Sequence, residues 1–315
     1  MSHVKRRPRQ IATHPASWFF IALVAIILVL ATSSPARDTS TTQDLTDDLG
    51  RQVAINGTPQ RIVSLAPSNT EILFALGLGD EVVGVTDYCD YPAEALEKQK
   101  VGGYINPDME KIVTLGPDLV LVSYGTPMDV IDSMVGLGLT VFGTKTTDLD
   151  DLLNDIETIG KITDKETEAD ALTSEMETRI QAVTGQTEGL EQRPRVFYIV
   201  GTGPLWTAGS DTFIDELIQK SGGVNICANI TGYSEVSLEY IVACNPEVII
   251  TSSWPGVCEW ATNSTELQAT AAVQSGNVYP CDDNLVQRPG PRIVEGLEWF
   301  AYFVHPEIFD EPEGS

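Results

Sequence analysis

Positive charge is scarce in this chain: 19 Lys and Arg stand against 45 Asp and Glu, a formal net charge of −26. No basic stripe is available to neutralise phosphates, which argues against nucleic-acid binding. Histidine is nearly absent, and only His305 lies beyond the first 36 residues, so neither a histidine triad nor a multi-histidine metal site is available. No GxxxxGK motif occurs, so the chain does not supply its own ATPase, and Gly136-Leu137-Gly138 lacks the third glycine of a dinucleotide fingerprint. The five cysteines, Cys89, Cys227, Cys244, Cys258 and Cys281, match no zinc spacing. Carboxylate pairs are unavoidable in so acidic a chain, and none stands out as a catalytic dyad. The expectation is a non-enzymatic protein without catalytic residues, metal site or cofactor.

What is present begins with a basic segment, Lys5 to Arg9, followed by an apolar run from Trp18 to Ala31. Fourteen apolar residues are short for a spanning helix and suit a secretory signal, with Ser34 and Ala36 as small residues before a cut. An uncleaved membrane anchor over 1–36 is the other reading, and no Cys follows the run for lipid attachment. Either way the body is exported, to be secreted or held at the membrane by its N-terminus. Residues 37–57 are rich in Thr and Asp and read as a polar, poorly ordered linker. All 45 acidic residues but only 15 of the 19 basic ones lie beyond residue 36, a balance that would suit high-salt surroundings. Export permits disulfides. Cys258–Cys281 and Cys227–Cys244 are the candidate bridges because each pair falls on neighbouring elements, with buried free thiols as the alternative.

The stretch from Thr163 to Val183 carries Ala169, Leu172, Met176, Ile180 and Val183 at steps of three or four, a narrow apolar stripe on an otherwise polar helix. Thr163 with Glu166 reads as a capping box at its start. About 20 to 25 residues at 1.5 Å each span roughly 30 to 38 Å. A helix too polar for a core bridges between domains, and here it separates two segments in which strands and helices alternate. In the first, RIVSLA (61–66), EVVGVT (81–86), DLVLVS (118–123) and 140–143 read as strands, with SNTE (68–71) as a capping box opening a helix. In the second, RVFYIV (195–200), 224–227, 247–252 and 278–280 repeat the scheme. The fold class is therefore α/β: an N-terminal lobe at 58–147 and a C-terminal lobe at 193–310, each Rossmann-like with a parallel sheet. A helical spine at 148–192, with a single long helix, joins them across a ligand cleft.

The lobes repeat in register. Adding 129 carries Gly103, Tyr104, Glu110, Ile112, Val113, Pro117 and Ser123 onto Gly232, Tyr233, Glu239, Ile241, Val242, Pro246 and Ser252, seven identities in 21 positions. Tyr88, Tyr104, Tyr124, Trp206, Tyr233 and Trp254 fall in loops near strand ends or before helices, where they either anchor loops or line a broad, uncharged binding surface. Arg288 and Arg292, in QRPGPRI, are among the few cations of the second lobe. Glu110 and Glu239 sit alike in the first turn of a helix in each lobe, where they favour the helix dipole.

The stretch RIVSLAPSNTEILFALGLGDEVVGVTDYCDYP, the GPDLVLVS strand, VSLEYIVACNPEVI and RPGPRI together resemble the class III substrate-binding proteins of ABC importers, closest to the cobalamin (vitamin B12)-binding branch. The resemblance covers about residues 60 to 305 and implies two Rossmann-like lobes held by one stiff helix, with small hinge motion. It implies that Tyr88, Tyr104, Trp206, Tyr233 and the segment Asn284 to Arg288 contact a corrinoid, and that Glu110 and Glu239 dock on arginines of a permease whose ATPases supply the energy. Ferric siderophore or haem is the alternative ligand, through Arg288 or a Tyr axial ligand. Readings from other classes are a cleft enzyme of the glycosyl-transfer type and a surface adhesion or sensory module.

Overall fold

The computed structural model describes residues 42–312. The expected leader at 1–36 lies outside the described residues. No helix among them is long and apolar enough to cross a membrane.

Continuous apolar runs become strands covered on both faces. In the N-terminal lobe the parallel sheet runs in the order Gln99–Lys100, Val82–Val85, Ile62–Ser64, Leu119–Ser123, Val141–Thr144. In the C-terminal lobe the order is Val224–Asn225, Arg195–Ile199, Val248–Ser252, Val278–Cys281, again all parallel. A small antiparallel sheet of Gly201–Thr202, Leu205–Ala208 and Tyr233–Glu235 lies beside the second.

The offset-129 repeat is a repeat of structure. Asp108 caps helix Met109–Leu115 through the Lys111 amide, and Ser237 caps helix Leu238–Cys244 through the Tyr240 amide. Both helices end on a left-handed residue, Gly116 (φ 56°) and Asn245 (φ 47°). Asp118 then accepts from the Gln60 and Arg61 amides as Glu247 does from the Arg195 amide. The side chains of Arg61 and Arg195 close each module on the last carbonyls of its helix. Short polar side chains at caps and small or amide residues in the left-handed region are what helix ends require, so both ends of the module's helix are locally encoded.

Between the lobes stand two helices, Leu149–Ile162 and Glu166–Thr187, packed side by side. Both reach the second lobe: the Leu149 amide of the shorter one donates to Glu216 at 2.9 Å, and the longer one runs the full crossing. Its N-terminal end follows Lys165, within the electrostatic reach of Glu81 in the first lobe, and its C-terminal end is tied by the Thr187 hydroxyl to the Lys220 carbonyl in the second. Ala169, Met176 and Val183 of the expected stripe are buried, and Leu172 and Ile180 pack against the same core. Midway, Arg179 forms a two-point ion pair with Glu298 of the terminal helix Ile293–Val304, at 2.9 and 2.8 Å.

Four local expectations are corrected. Thr163 is not an N-cap: its hydroxyl donates to the Ile159 carbonyl at 2.7 Å and ends the preceding helix, while Asp164 takes a left-handed turn (φ 59°). Nor does Ser68 cap its helix, which begins on Pro67, leaving Ser68 buried inside the first turn and Glu71 committed elsewhere. The segment 37–57 is not a disordered tether over its described part. Thr42–Thr46 pairs antiparallel with Gln52–Asn56, whose alternation buries Val53 and Ile55. Buried Asp47 fastens this hairpin to the first lobe by accepting from the Gly143 amide at 3.1 Å and the Arg51 amide at 2.8 Å. Finally, neither Cys258–Cys281 nor Cys227–Cys244 is bridged, and all five cysteines are free thiols. Burial, which disfavours the thiolate, pushes Cys227 up to about 11 and Cys281 higher still.

Candidate ligand-binding cleft

Parallel sheets place their loops together at the carboxyl ends of the strands. On the first lobe, Val82–Val85 leads to Tyr88 and Leu119–Ser123 leads to Tyr124. Lys100 pins the Tyr88 loop by donating to the Thr86 and Cys89 carbonyls at 3.3 and 2.6 Å. Tyr88 then meets Tyr104 edge to face, with ring centroids 6.3 Å apart. A Cβ at Gly125 would stand 3.3 Å from the Tyr104 ring, so glycine lets the Tyr124 loop close on that ring. Tyr88 and Tyr124 remain 58% and 68% exposed, far more than anchoring side chains need. The Lys145 ammonium sits over the Tyr124 ring at 5.2 Å.

On the second lobe, Trp206 and Tyr233 belong to adjacent antiparallel strands. The register pairs Ala208 with Tyr233 and Trp206 with Glu235, which puts both aromatic rings on one face of the small sheet. Trp254 follows the carboxyl end of Val248–Ser252 and is 70% exposed. Asp283 organises this side by accepting from the Ser253 amide and hydroxyl at 3.1 and 3.0 Å, from the Tyr198 hydroxyl at 3.3 Å, and from the Gln287 amide. Burial raises the Asp283 carboxyl above the usual carboxylate range, against the pull of those donors.

A cavity of about 360 Å³ joins the two sides, with Ser68, Tyr104, Tyr124, Thr146, Gln287 and Arg288 among its walls. The structure therefore brings Tyr104 and Arg288 together, with Tyr88 against Tyr104. Trp206, Tyr233 and Asn284 do not line this cavity. The Asn284 amide donates to Asp282 in a turn, and its neighbour Gln287 takes the place expected of it. A larger space of about 690 Å³ is walled by the helix Pro67–Ala75, the turn Ala93–Glu97 and Pro291–Arg292, away from the strand ends that build the aromatic surface.

Arg288 does not face the cavity as a free cation. Its guanidinium donates to Asp90 at 2.5 and 3.4 Å and lies 4.0 Å from Glu71. Arg292 makes the deeper pair, bidentate with Glu71 at 2.6 and 3.0 Å, and stacks on Tyr91 at 3.8 Å. Burial pushes the Glu71 carboxyl up while Arg292 pulls it down; the hydrogen bond from Arg288 holds Asp90 below its ordinary value. Sequence reading missed Asp90 and Glu71. The signal for Glu71 was an acid at the head of the apolar run EILFALG, in a helix whose first turn gives it no cationic partner.

Glu110 and Glu239 stand outside the cleft, exposed in the first turns of the two repeated helices. The hydrogen bonds of its own amide and of Ser237 lower the Glu239 carboxyl.

Comparison with known proteins agrees with this geometry. The model of the family described as Periplasmic binding protein matches residues 62–285. An uncharacterized ABC transporter substrate-binding lipoprotein of Bacillus subtilis is 36% identical over 274 residues, 84% of this chain and 86% of its own length. A cobalamin-binding protein of Halobacterium salinarum is 32% identical over 265 residues, 80% of this chain and 71% of its own length. Among solved structures, the periplasmic vitamin B12 binding protein of Vibrio cholerae superposes with a TM-score of 0.70 at 31% identity, covering 79% of this chain and 97% of that one. A periplasmic heme-binding protein of Roseiflexus superposes equally well, with a TM-score of 0.71 at 26% identity over 79% of this chain and 98% of that one. The chain belongs to the periplasmic binding protein family, in its class III form, whose members are substrate-binding proteins of ABC transporters.

Proposed function

We propose that this protein captures a corrinoid, cobalamin, in the cleft between its lobes outside the cytoplasm and delivers it to an ABC permease. The single observation that carries the ligand is the aromatic surface at the facing strand ends: Tyr88, Tyr104 and Tyr124 on one lobe, Trp206, Tyr233 and Trp254 on the other, around a cavity with little charge. Flat apolar rings with few polar groups suit a large macrocycle rimmed by uncharged amides. Relatives named for vitamin B12 or cobalamin support the same ligand. The segment 1–36 would export the body and leave it secreted or membrane-held. Glu110 and Glu239, alike in position and exposed, would engage two positive sites of the permease.

Calorimetric titration of the full-length protein with cyanocobalamin tests the ligand. One-to-one binding is expected, weakened about tenfold by Tyr104→Ala, since an aromatic contact contributes roughly 1.4 kcal/mol beyond area. Absence of heat with cyanocobalamin, together with binding of a ferric siderophore that Arg288→Gln abolishes, would overturn the corrinoid in favour of the second reading, which rests on Arg288 lining the cavity.

A further inference from the structure

Among the described residues that line the cleft cavity, Arg288 is the one charged side chain; the others are Tyr, Ser, Thr, Gln, Gly, Pro and Ala. Its charge is already answered. Asp90 binds it at 2.5 Å, and behind it Glu71 and Arg292 form a second, closed pair, so the four side chains sum to zero. The two acids differ in freedom. Glu71 is 2% exposed and held at two points by Arg292, whereas Asp90 is 51% exposed and reaches across the seam between lobes from the loop that carries Tyr88 and Tyr91. Asp90 is thus the detachable counterion. Of the nearby lysines, Lys100 is spent on the Thr86 and Cys89 carbonyls and Lys145 sits over the Tyr124 ring at the edge of the site.

We propose that Asp90, by occupying Arg288, is the residue that makes the cleft select ligands with an uncharged, amide-bearing rim and reject those that carry carboxylates. This deepens the corrinoid reading and rests on it. At the two guanidinium nitrogens that Asp90 holds, a ligand carboxylate could enter only by exchanging with the Asp90 carboxylate, which gains no new type of bond. The displaced Asp90 would then repel the newcomer, and the ligand's carboxylate would lose its water. A ligand amide asks for no exchange: it meets hydroxyls, Gln287 and ring faces. Removing the Asp90 charge with its shape kept frees Arg288 for an anion.

The test compares cyanocobalamin, its monocarboxylic acid in which one side-chain amide is hydrolysed, and haemin, which carries two carboxylates, on the full-length protein at low salt. Wild type is expected to bind cyanocobalamin at least about tenfold more tightly than the acid, the span of one charge-assisted hydrogen bond. Asp90→Asn should narrow that ratio about tenfold by strengthening the acid and should raise haemin affinity. Asp90→Asn with Arg288→Gln should restore the wild-type ratio, and that reversal separates a charge effect from a folding defect. A wild type that binds cyanocobalamin but does not discriminate, or a ratio that Asp90→Asn leaves unchanged, overturns this inference and leaves the corrinoid reading standing. A wild type that prefers haemin overturns both. If wild type binds none of the three, the corrinoid reading falls, and failure of Asp90→Asn to acquire haemin binding overturns this one too.

Discussion

Asp155 shows how one buried carboxyl reports on the seam between the lobes. It lies on the helix Leu149–Ile162, is 5% exposed, and accepts from the Thr146 hydroxyl, whose residue also walls the cavity, at 2.5 Å. Burial first, and then the Asp48 carboxyl beside it, push it up to about 8. In the unfolded chain the same group titrates near about 3.9. Between those values the fold holds a proton that the unfolded chain does not, so stability falls as pH rises through the window and levels off above it. Urea unfolding of wild type between pH 5 and 8.5 is expected to show this decline, at most about 1.4 kcal/mol per pH unit for one group. In Asp155→Asn the decline should flatten. A variant curve parallel to wild type would assign the slope to other groups. None of this was visible in the sequence, where Asp155 is one acid among 45 and its burial depends on Thr146 and Asp48 arriving from other elements.

At the scale of elements, the paired helices explain why two glycines of similar appearance differ. Gly160 lies where the helices Leu149–Ile162 and Glu166–Thr187 touch, and a Cβ there would stand 2.5 Å from Ala169 Cβ and 3.1 Å from the Lys165 carbonyl. Gly160→Val should force the pair apart and lower stability by about 1 to 3 kcal/mol, read from the urea midpoint. Gly185, exposed near the end of the longer helix with open space around it, should instead accept Ala, with a gain of up to about 1 kcal/mol. The narrow apolar stripe announced the long helix, but its capping residues were misread. A Thr-x-x-Glu pattern encodes a cap only when the chain enters the helix at Thr, and here a helix is leaving. The hairpin at 42–56 was likewise hidden, because its alternation is short and its buried acid, Asp47, makes sense only beside Arg51 and Gly143.

For the whole molecule, one continuous apolar core runs from the first lobe through Ile156, Ile159, Met176 and Val183 of the spine into the terminal helix. Lobes joined in this way resist wide closure, since packed interiors do not shear freely. Recognition by a permease would then depend on surface groups held at a set spacing. Glu110→Ala and Glu239→Ala, singly and together, are expected to leave cyanocobalamin binding unchanged while reducing stimulation of the reconstituted transporter's ATPase, with the double variant most affected. Loss of ligand binding in these variants, or full stimulation by the double variant, would refute the docking role.

By itself the sequence determined what depends on near neighbours. Strand and helix periodicity announced two α/β lobes, and the offset-129 repeat specified twin modules whose helix caps and left-handed ends are set by residues within one short helix of each other. Only the tertiary structure decided the charge of the cleft. Glu71 and Arg292 are 221 residues apart, and Asp90 and Arg288 are 198 apart. No local rule joins such partners, because their pairing exists only after the two lobes have docked across the spine and excluded the water that would otherwise have held each charge alone.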